Sequence, residues 1–465
     1  MTSPGKPPGT GAFAIEKAVV ITGAVAAAGL AAVHGTGLLL ALVTGRTVPP
    51  FAPARAVGLL QGTAYVPGVP PAVHGTVIAV AVVVALLLAR RVLRWRTYRA
   101  AAPKRRAVDF DGRPGWATRD AVRRVASAKA ILAQAATLRP GLHCPRACDA
   151  GYLLGTAHGE QVWASVERSI LVIGPPGSGK GLHVAINAIL DAPGAVITTS
   201  TKPDTLKATL QARADRGPVG VFDPQGMLGD GFAHQVAWDA IAGCENPMRA
   251  ATRAEALAAN TGISDSSENR VWRVHAKTVI ETVLHAAALD GASIEDAYRW
   301  MQSAHALEQP LAILQSHLDA CPTWDDRLRA LALNADSRFV GSMMSVIAAA
   351  IAPVALPTVR ASLTPTPTRP AITAEALLAD AGTLYALATD RGAAASAGLV
   401  SALIEDIAYT ARITAARSPG GRMDPPVLFL LDECANVAPI PSLPSLLADG
   451  RGQNLSRPES SGQFC

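Results

Sequence analysis

The chain has 465 residues, 49% of them hydrophobic and 17% charged, and a formal net charge of +6. That length exceeds one ordinary domain and suggests roughly two to four units. Much of the excess charge comes from one short cluster, which excludes using it as evidence that the remainder binds nucleic acid, and the scattered cysteines at 144, 148, 244, 321, 434 and 465 offer no second pair to complete a zinc site beside Cys144 and Cys148.

In chain order, Ala18 to Val43 carries no charged residue and is long enough to cross a bilayer. Ala72 to Ala89 is a second uncharged stretch, rich in Val, Leu and Ala. The apolar core of the first is too long for a cleaved signal peptide. Arg90, Arg91, Arg94, Arg96, Arg99, Lys104, Arg105 and Arg106 follow the second stretch with no acid before Asp109. Positive residues stay on the cytoplasmic side, so this flank is expected there, with the N-terminus (Lys6, Lys17) on the same side. Residues 1–106 therefore read as a two-pass membrane anchor, with helices over about 18–43 and 70–90 and an external loop over about 44–69. Residues 107–151 read as a connector holding one helix, Thr118 to Leu138.

The segment Ser169-Ile170-Leu171-Val172-Ile173 reads as a fully buried parallel strand. It runs into Gly174-Pro175-Pro176-Gly177-Ser178-Gly179-Lys180-Gly181, and Leu182 to Leu190 has helical composition. Strand, glycine-rich turn and helix is the context of a phosphate-binding loop, G-x-x-x-x-G-K-[ST], met here except at Gly181. Gly177 and Gly179 permit a backbone whose N–H groups face an anion, and Lys180 would reach the β- and γ-phosphates of ATP. Gly181 supplies no hydroxyl to Mg²⁺, so the metal needs a carboxylate from elsewhere. Val427-Leu428-Phe429-Leu430-Leu431-Asp432-Glu433 provides it: Asp432 is expected to hold Mg²⁺ and Glu433 to polarise the attacking water.

Three more runs read as strands of the same sheet, beginning at Gly194, Val219 and Thr383. The nucleotide domain is expected over 152–240 and 353–453, interrupted by an all-helical insertion over 241–352 and resuming after the Pro/Thr stretch Pro353 to Pro370. His275 and His285 within the insertion read as helix-surface or core histidines. Residues 454–465 are polar and unpatterned, a disordered or truncated tail.

Together these features resemble the type IV secretion coupling proteins, the conjugative DNA-transfer ATPases, most closely their actinobacterial branch. The resemblance rests on the double anchor, the Gly-Lys-Gly ending of the loop and the helical insertion. It also rests on Leu431-Asp432-Glu433-Cys434-Ala435-Asn436-Val437 followed by Ile440-Pro441 and Asp449-Gly450-Arg451-Gly452-Gln453. It implies an α/β fold: a RecA-like P-loop NTPase sheet with an all-helical insertion and two N-terminal transmembrane helices. It implies a homo-hexamer in the cell membrane, binding ATP and Mg²⁺ and moving relaxase-bound single-stranded DNA toward secretion-channel proteins. Arg451 would be a finger reaching a neighbour's nucleotide. Relatives continue beyond the Gly-Arg-Gly-Gln segment into another strand, where this chain reads as cut short. Two alternatives stand beside this one: a septal-type translocase of double-stranded DNA, and a truncated anchor or recruitment protein that does not hydrolyse ATP.

Overall fold

Alternation of side chains along the central strands decides how the chain layers. In a computed structural model, Val427, Phe429 and Leu431 bury into one apolar cluster while Leu428 and Leu430 bury into another on the opposite face. The structure describes residues 29–47, 50–101, 116–175, 177–229, 231–261, 266–332, 335–388, 393–433, 437 and 439–461. The chain divides into two units, Met1–Asp111 and Gly112–Cys465.

The first unit contains α1 (Gly29–Thr44), α2 (Pro53–Leu60) and α3 (Pro71–Ala101). The start of the first expected span, and the basic residues at 6, 17 and 104–106, lie outside the described residues. α3 continues well past the expected end near 90 and carries the arginine cluster through Arg99 on one helix. Leu40, Ala41, Ala56, Tyr65, Val66 and Val69 form a small core. The Tyr65 hydroxyl lies 2.7 Å from His34 Nδ1, and His74 Nε2 lies 3.1 Å from Thr36 Oγ1, so polar contacts tie loop and helices together. Among the described residues, only Ser337–Ala355 is long and apolar enough by itself to cross a membrane, and it buries Met343, Val346, Ile347, Ala350 and Ile351 in the core of the second unit.

The second unit opens with α4 (Arg119–Val125), α5 (Ala128–Leu132), α6 (Ala135–Leu138) and α7 (Ala147–Ala150). The single helix expected over 118–138 is therefore three: Ser127 caps α5 by accepting from the Ala130 N–H, and a capping residue ends the preceding turn. A hairpin follows, β1 (Gly151–Ala157) and β2 (Glu160–Ser165), antiparallel and separate from the main sheet. Residues expected to begin the nucleotide domain thus form a small sheet of their own.

The main sheet comprises β3 (Ser169–Ile173), β4 (Val196–Ser200), β5 (Val219–Phe222), β6 (Thr383–Leu387), β7 (Val427–Asp432) and β8 (Leu455–Ser461). Its order is β3-β8-β7-β4-β6-β5, parallel throughout. A π-helical turn at Gly181–Ala185 leads into α8 (Ile186–Asp191), and α9 (Asp204–Ala214) joins β4 to β5. Arg213 of α9 is buried, with no carboxylate partner among the described residues. It donates to Thr383 Oγ1 and to the carbonyls of Ala192, Gly194 and Ala381, and burial pushes its guanidinium down to about 10.

Between β5 and β6 the described residues are mainly helical. The elements are α10 (Pro247–Ala259), α11 (Ser267–Asp290), α12 (Ile294–Trp300), α13 (Glu308–Ser316), α14 (Trp324–Ala332) and α15 (Ser337–Ile351). The Pro/Thr stretch is not a bare boundary, since Pro357 opens α16 (Pro357–Leu363), where proline suits the first helical turn. α17 (Ala374–Ala379), α18 (Ala393–Arg417) and α19 (Leu443–Asp449) complete the unit. α18 and the helical region cover one sheet face, while α8 covers part of the other.

Two expectations fail at the sheet. β3 is parallel but not fully buried: it is the terminal strand of the described sheet, and Leu171 and Ile173 are 54% and 59% exposed. The tail beyond residue 453 is a strand as far as Ser461, paired on both sides by its backbone, with residues 462–465 outside the described set. Backbone pairing needs no side-chain pattern, so composition concealed it. The register with β7 lapses opposite Arg457 and Pro458, and Pro458 has no N–H to give.

Candidate functional site

Parallel strands deliver all their carboxyl ends to one sheet edge, where loops meet ligands. At that edge β3 passes into the 174–181 loop. Gly177 (φ 74°) and Gly179 (φ 87°) take left-handed conformations that a Cβ would strain. A Cβ on Gly179 would also fall 2.6 Å from the His183 ring. The Ser178 N–H donates to Pro175 O at 3.1 Å, and Lys180 Nζ donates to Gly174 O at 2.6 Å, so the half-buried ammonium is held across the loop it belongs to. The His183 N–H donates to Gly179 O at 2.8 Å and starts the helix directly after the loop. At Gly181, by contrast, a Cβ would meet nothing within 4 Å. Pro176 lies outside the described residues.

The acidic pair stands at the same edge. β7 ends at half-buried Asp432, and Glu433 has φ 50°, an uncommon conformation for a non-glycine residue that turns the chain out of the strand. Thr199 Oγ1 of β4 donates to Asp432 O at 2.9 Å and fixes the strand end. Through β8, Ile173 pairs with Ser461 and Asp432 with Ser460, so the last residue of β3 and the acid are offset by a single residue. With one strand between them and neighbouring strands roughly 4.8 Å apart, their backbones stand roughly 10 Å apart. That gap suits the phosphates and metal of a nucleoside triphosphate, with Lys180 and the loop amides on one side and Asp432 and Glu433 on the other.

Polar residues at two other strand ends cap local turns. Asp223, after β5, accepts the Leu228 N–H at 2.9 Å, and the Ser200 hydroxyl donates to Lys202 O at 2.7 Å. Arg451 is not brought to the site. It lies in the 3₁₀ turn Gly450–Gln453 before β8, at the strand-entry edge, and the seven residues of β8 span roughly 23 Å.

Sequence reasoning missed the braces on the segment after Glu433. Pro439 O accepts from Asn260 Nδ2 at 3.1 Å and Ser401 Oγ at 3.0 Å, and Glu405 Oε1 accepts the Ser442 N–H at 2.7 Å. No local pattern announces such contacts, which join residues far apart in the chain. His285, expected as a core or surface histidine, is a core one: Nδ1 lies 2.8 Å from Cys244 O and Nε2 accepts the Cys321 N–H at 3.0 Å.

No curated protein matches the chain in sequence. Among solved structures, it is similar to the unbound bacterial conjugative coupling protein TrwBdeltaN70, at 15% identity and a TM-score of 0.47, over 66% of this chain and 65% of that one. It is similar also to plasmid coupling protein TrwB in complex with ADP and Mg²⁺, at 16% identity and a TM-score of 0.46, over 66% and 67%. The chain thus spans about 65% of the first of these. The family model for type IV secretory system conjugative DNA transfer matches residues 120–456, from α4 to within β8 and including both halves of the site. That match covers well over half of the sequence, and the chain belongs to the type IV secretory system conjugative DNA transfer family.

Proposed function

We propose that the protein is a membrane-anchored ATPase that couples relaxase-bound single-stranded DNA to a type IV secretion channel, working as a ring of six copies. The observation that carries this reading is the family match over a segment in which the 174–181 loop and Asp432-Glu433 flank one strand of a parallel sheet. The loop amides and Lys180 bind the phosphates, with the ammonium exchanging Gly174 O for β- and γ-oxygens. Asp432 would hold Mg²⁺, which would neutralise phosphate charge. Glu433 orients water and accepts its proton, its carboxylate directed by the turn at φ 50°. Arg451 is assigned to a neighbouring copy's nucleotide, the arrangement its place at the far sheet edge favours.

Anchoring is proposed from the first unit, where Leu39, Leu42 and Val43 on α1 and Val80, Val82, Val83 and Leu87 on α3 stand between 46% and 79% exposed. Apolar surface of that extent on helices suits lipid. Arg90 and Arg91, also exposed, favour a cytoplasmic second unit by the excess of positive charge on that flank. The test is ATP hydrolysis by the full chain in detergent, with and without single-stranded DNA. Lys180→Ala should reduce turnover on the order of 10²-fold or more, as loss of a phosphate-binding cation does. Turnover unchanged by that substitution would overturn the assignment.

A further inference from the structure

The helical region carries an aromatic and basic cluster that the nucleotide site does not use. Trp272 and His275, near the start of α11, meet Phe339, near the start of α15. Ring centroids are 5.1 Å apart for Trp272–Phe339, 5.0 Å for His275–Phe339 and 6.5 Å for Trp272–His275. All three are only half-buried, and Val271 and Val274 beside them are 52% and 57% exposed. Arg270 and Arg273 recur at i and i+3 on the same helix, and Arg338 precedes Phe339 on the other. Arg270 and Arg338 are exposed.

Three described carboxylates in this region are already engaged. Asp336 is engaged as the cap of α15, accepting the Arg338 N–H at 3.2 Å. Glu255 and Glu281 face Lys277, a turn further along α11, at 3.5 and 4.0 Å, and Glu281 also takes Arg327 at 2.9 Å. Exposed guanidinium groups beside part-open aromatic rings are what a single strand requires, phosphates meeting the arginines and an unstacked base meeting a ring. A duplex keeps its base faces stacked and could use the arginines alone.

We infer that the Trp272–His275–Phe339 cluster with Arg270, Arg273 and Arg338 is a stacking site for single-stranded nucleic acid. This rests on the DNA-transfer reading above and locates on the helical region one place where the strand is held. Two phosphate contacts and one or more stacked bases are the minimum the geometry offers.

The test measures binding of a fluorescein-labelled twenty-nucleotide oligothymidylate to the full chain in detergent, by anisotropy across a salt series. Trp272→Ala should weaken binding roughly 5- to 150-fold, the range for loss of one base–aromatic stack, while Trp272→Phe keeps most of the affinity. Arg270→Ala with Arg338→Ala should lower the slope of log affinity against log salt by about 1.4, two phosphates at about 0.7 each. Wild-type protein that binds no oligonucleotide would overturn the DNA reading and this inference with it. Wild-type binding that all these variants share would overturn this inference alone. So would polyglutamate binding with the same dependence on the arginines and none on Trp272, which would mark the site as one for an acidic protein segment.

Discussion

Asp406 is buried in α18 and holds two arginines of α10, and its removal is the sharpest test of how the helical region is fastened to the sheet. Its Oδ1 accepts from Arg249 Nε at 2.6 Å and its Oδ2 from Arg253 Nη2 at 2.8 Å. The Arg253 side chain is 2% exposed and stacks 5.2 Å from the centre of the Trp238 ring; its other acceptors are the carbonyls of Ala240 and Ala242 and the Cys244 Sγ. Arg249 has a second carboxylate, Glu375, at 2.8 Å. Asp406→Ala therefore strands Arg253, a fully buried cation, far more than Arg249. Leaving one member of a buried ion pair without its partner costs about 3–5 kcal/mol. Asp406→Asn keeps one acceptor and loses the charge, for about 1.5–3 kcal/mol, the worth of hydrogen bonds to charged groups. Urea unfolding followed by circular dichroism should rank Asp406→Ala below Asp406→Asn below wild type. A loss under about 1 kcal/mol for Asp406→Ala would show that solvent reaches Arg253 and that the pair does not pin α10 to α18.

Two further outcomes follow from particular positions. Gly181 sits in helical backbone with open space where a Cβ would go, so Gly181→Ala should raise stability by about 0.5–1 kcal/mol in thermal melts. Gly181→Ser adds a hydroxyl at the same point, and should lower the Mg²⁺ concentration for half-maximal nucleotide binding relative to Gly181→Ala; equal values would refute a metal beside this position. For His285, burial holds the imidazole below its usual range, and its bonding requires the neutral ring, with Nδ1–H donating to Cys244 O and the Nε2 lone pair accepting. As pH falls through about 6.5 the unfolded chain takes the proton first, so stability should decline from pH about 7 toward 5. Urea midpoints over that range should fall less steeply for His285→Gln, and an identical slope would remove His285 as the cause.

How far the fold could be read from the sequence follows from which signals are local. The 174–181 loop, the acidic end of β7, and β4, β5 and β6 all announce themselves as short apolar runs ending in turn or polar residues. The helical region shows the 3.6-residue spacing of its core positions. Strand order is not local: Ser169–Ile173 has the composition of a buried strand, yet its terminal position exposes Leu171 and Ile173. The β1–β2 hairpin did carry a signal, His158-Gly159, whose φ values of 52° and 76° make the tight turn of a two-residue hairpin. Weak alternation on either side hid it. The break at Ser127 was equally legible, as a capping residue inside a run of good helix formers.

The least patterned segment has the largest consequence for the site. β3 pairs only with β8 in the described sheet, and β8 is what separates it from β7. Without Leu455–Ser461 the strand that leads into the phosphate loop would have no partner in the described sheet. Among the described side chains, those that hold β8 stand at its entry. Asn454 is fully buried at φ 57°, and its Nδ2 donates to Leu138 O at 2.7 Å and to Met423 O at 3.1 Å, while Leu455 is buried beneath it. The Val427 N–H donates to Asn454 O at 3.1 Å, so the residue that starts β8 also aligns the first residue of β7. The two recognisable motifs of the site are thus set at their working distance by one polar residue and a backbone ladder, neither of which composition or periodicity reports.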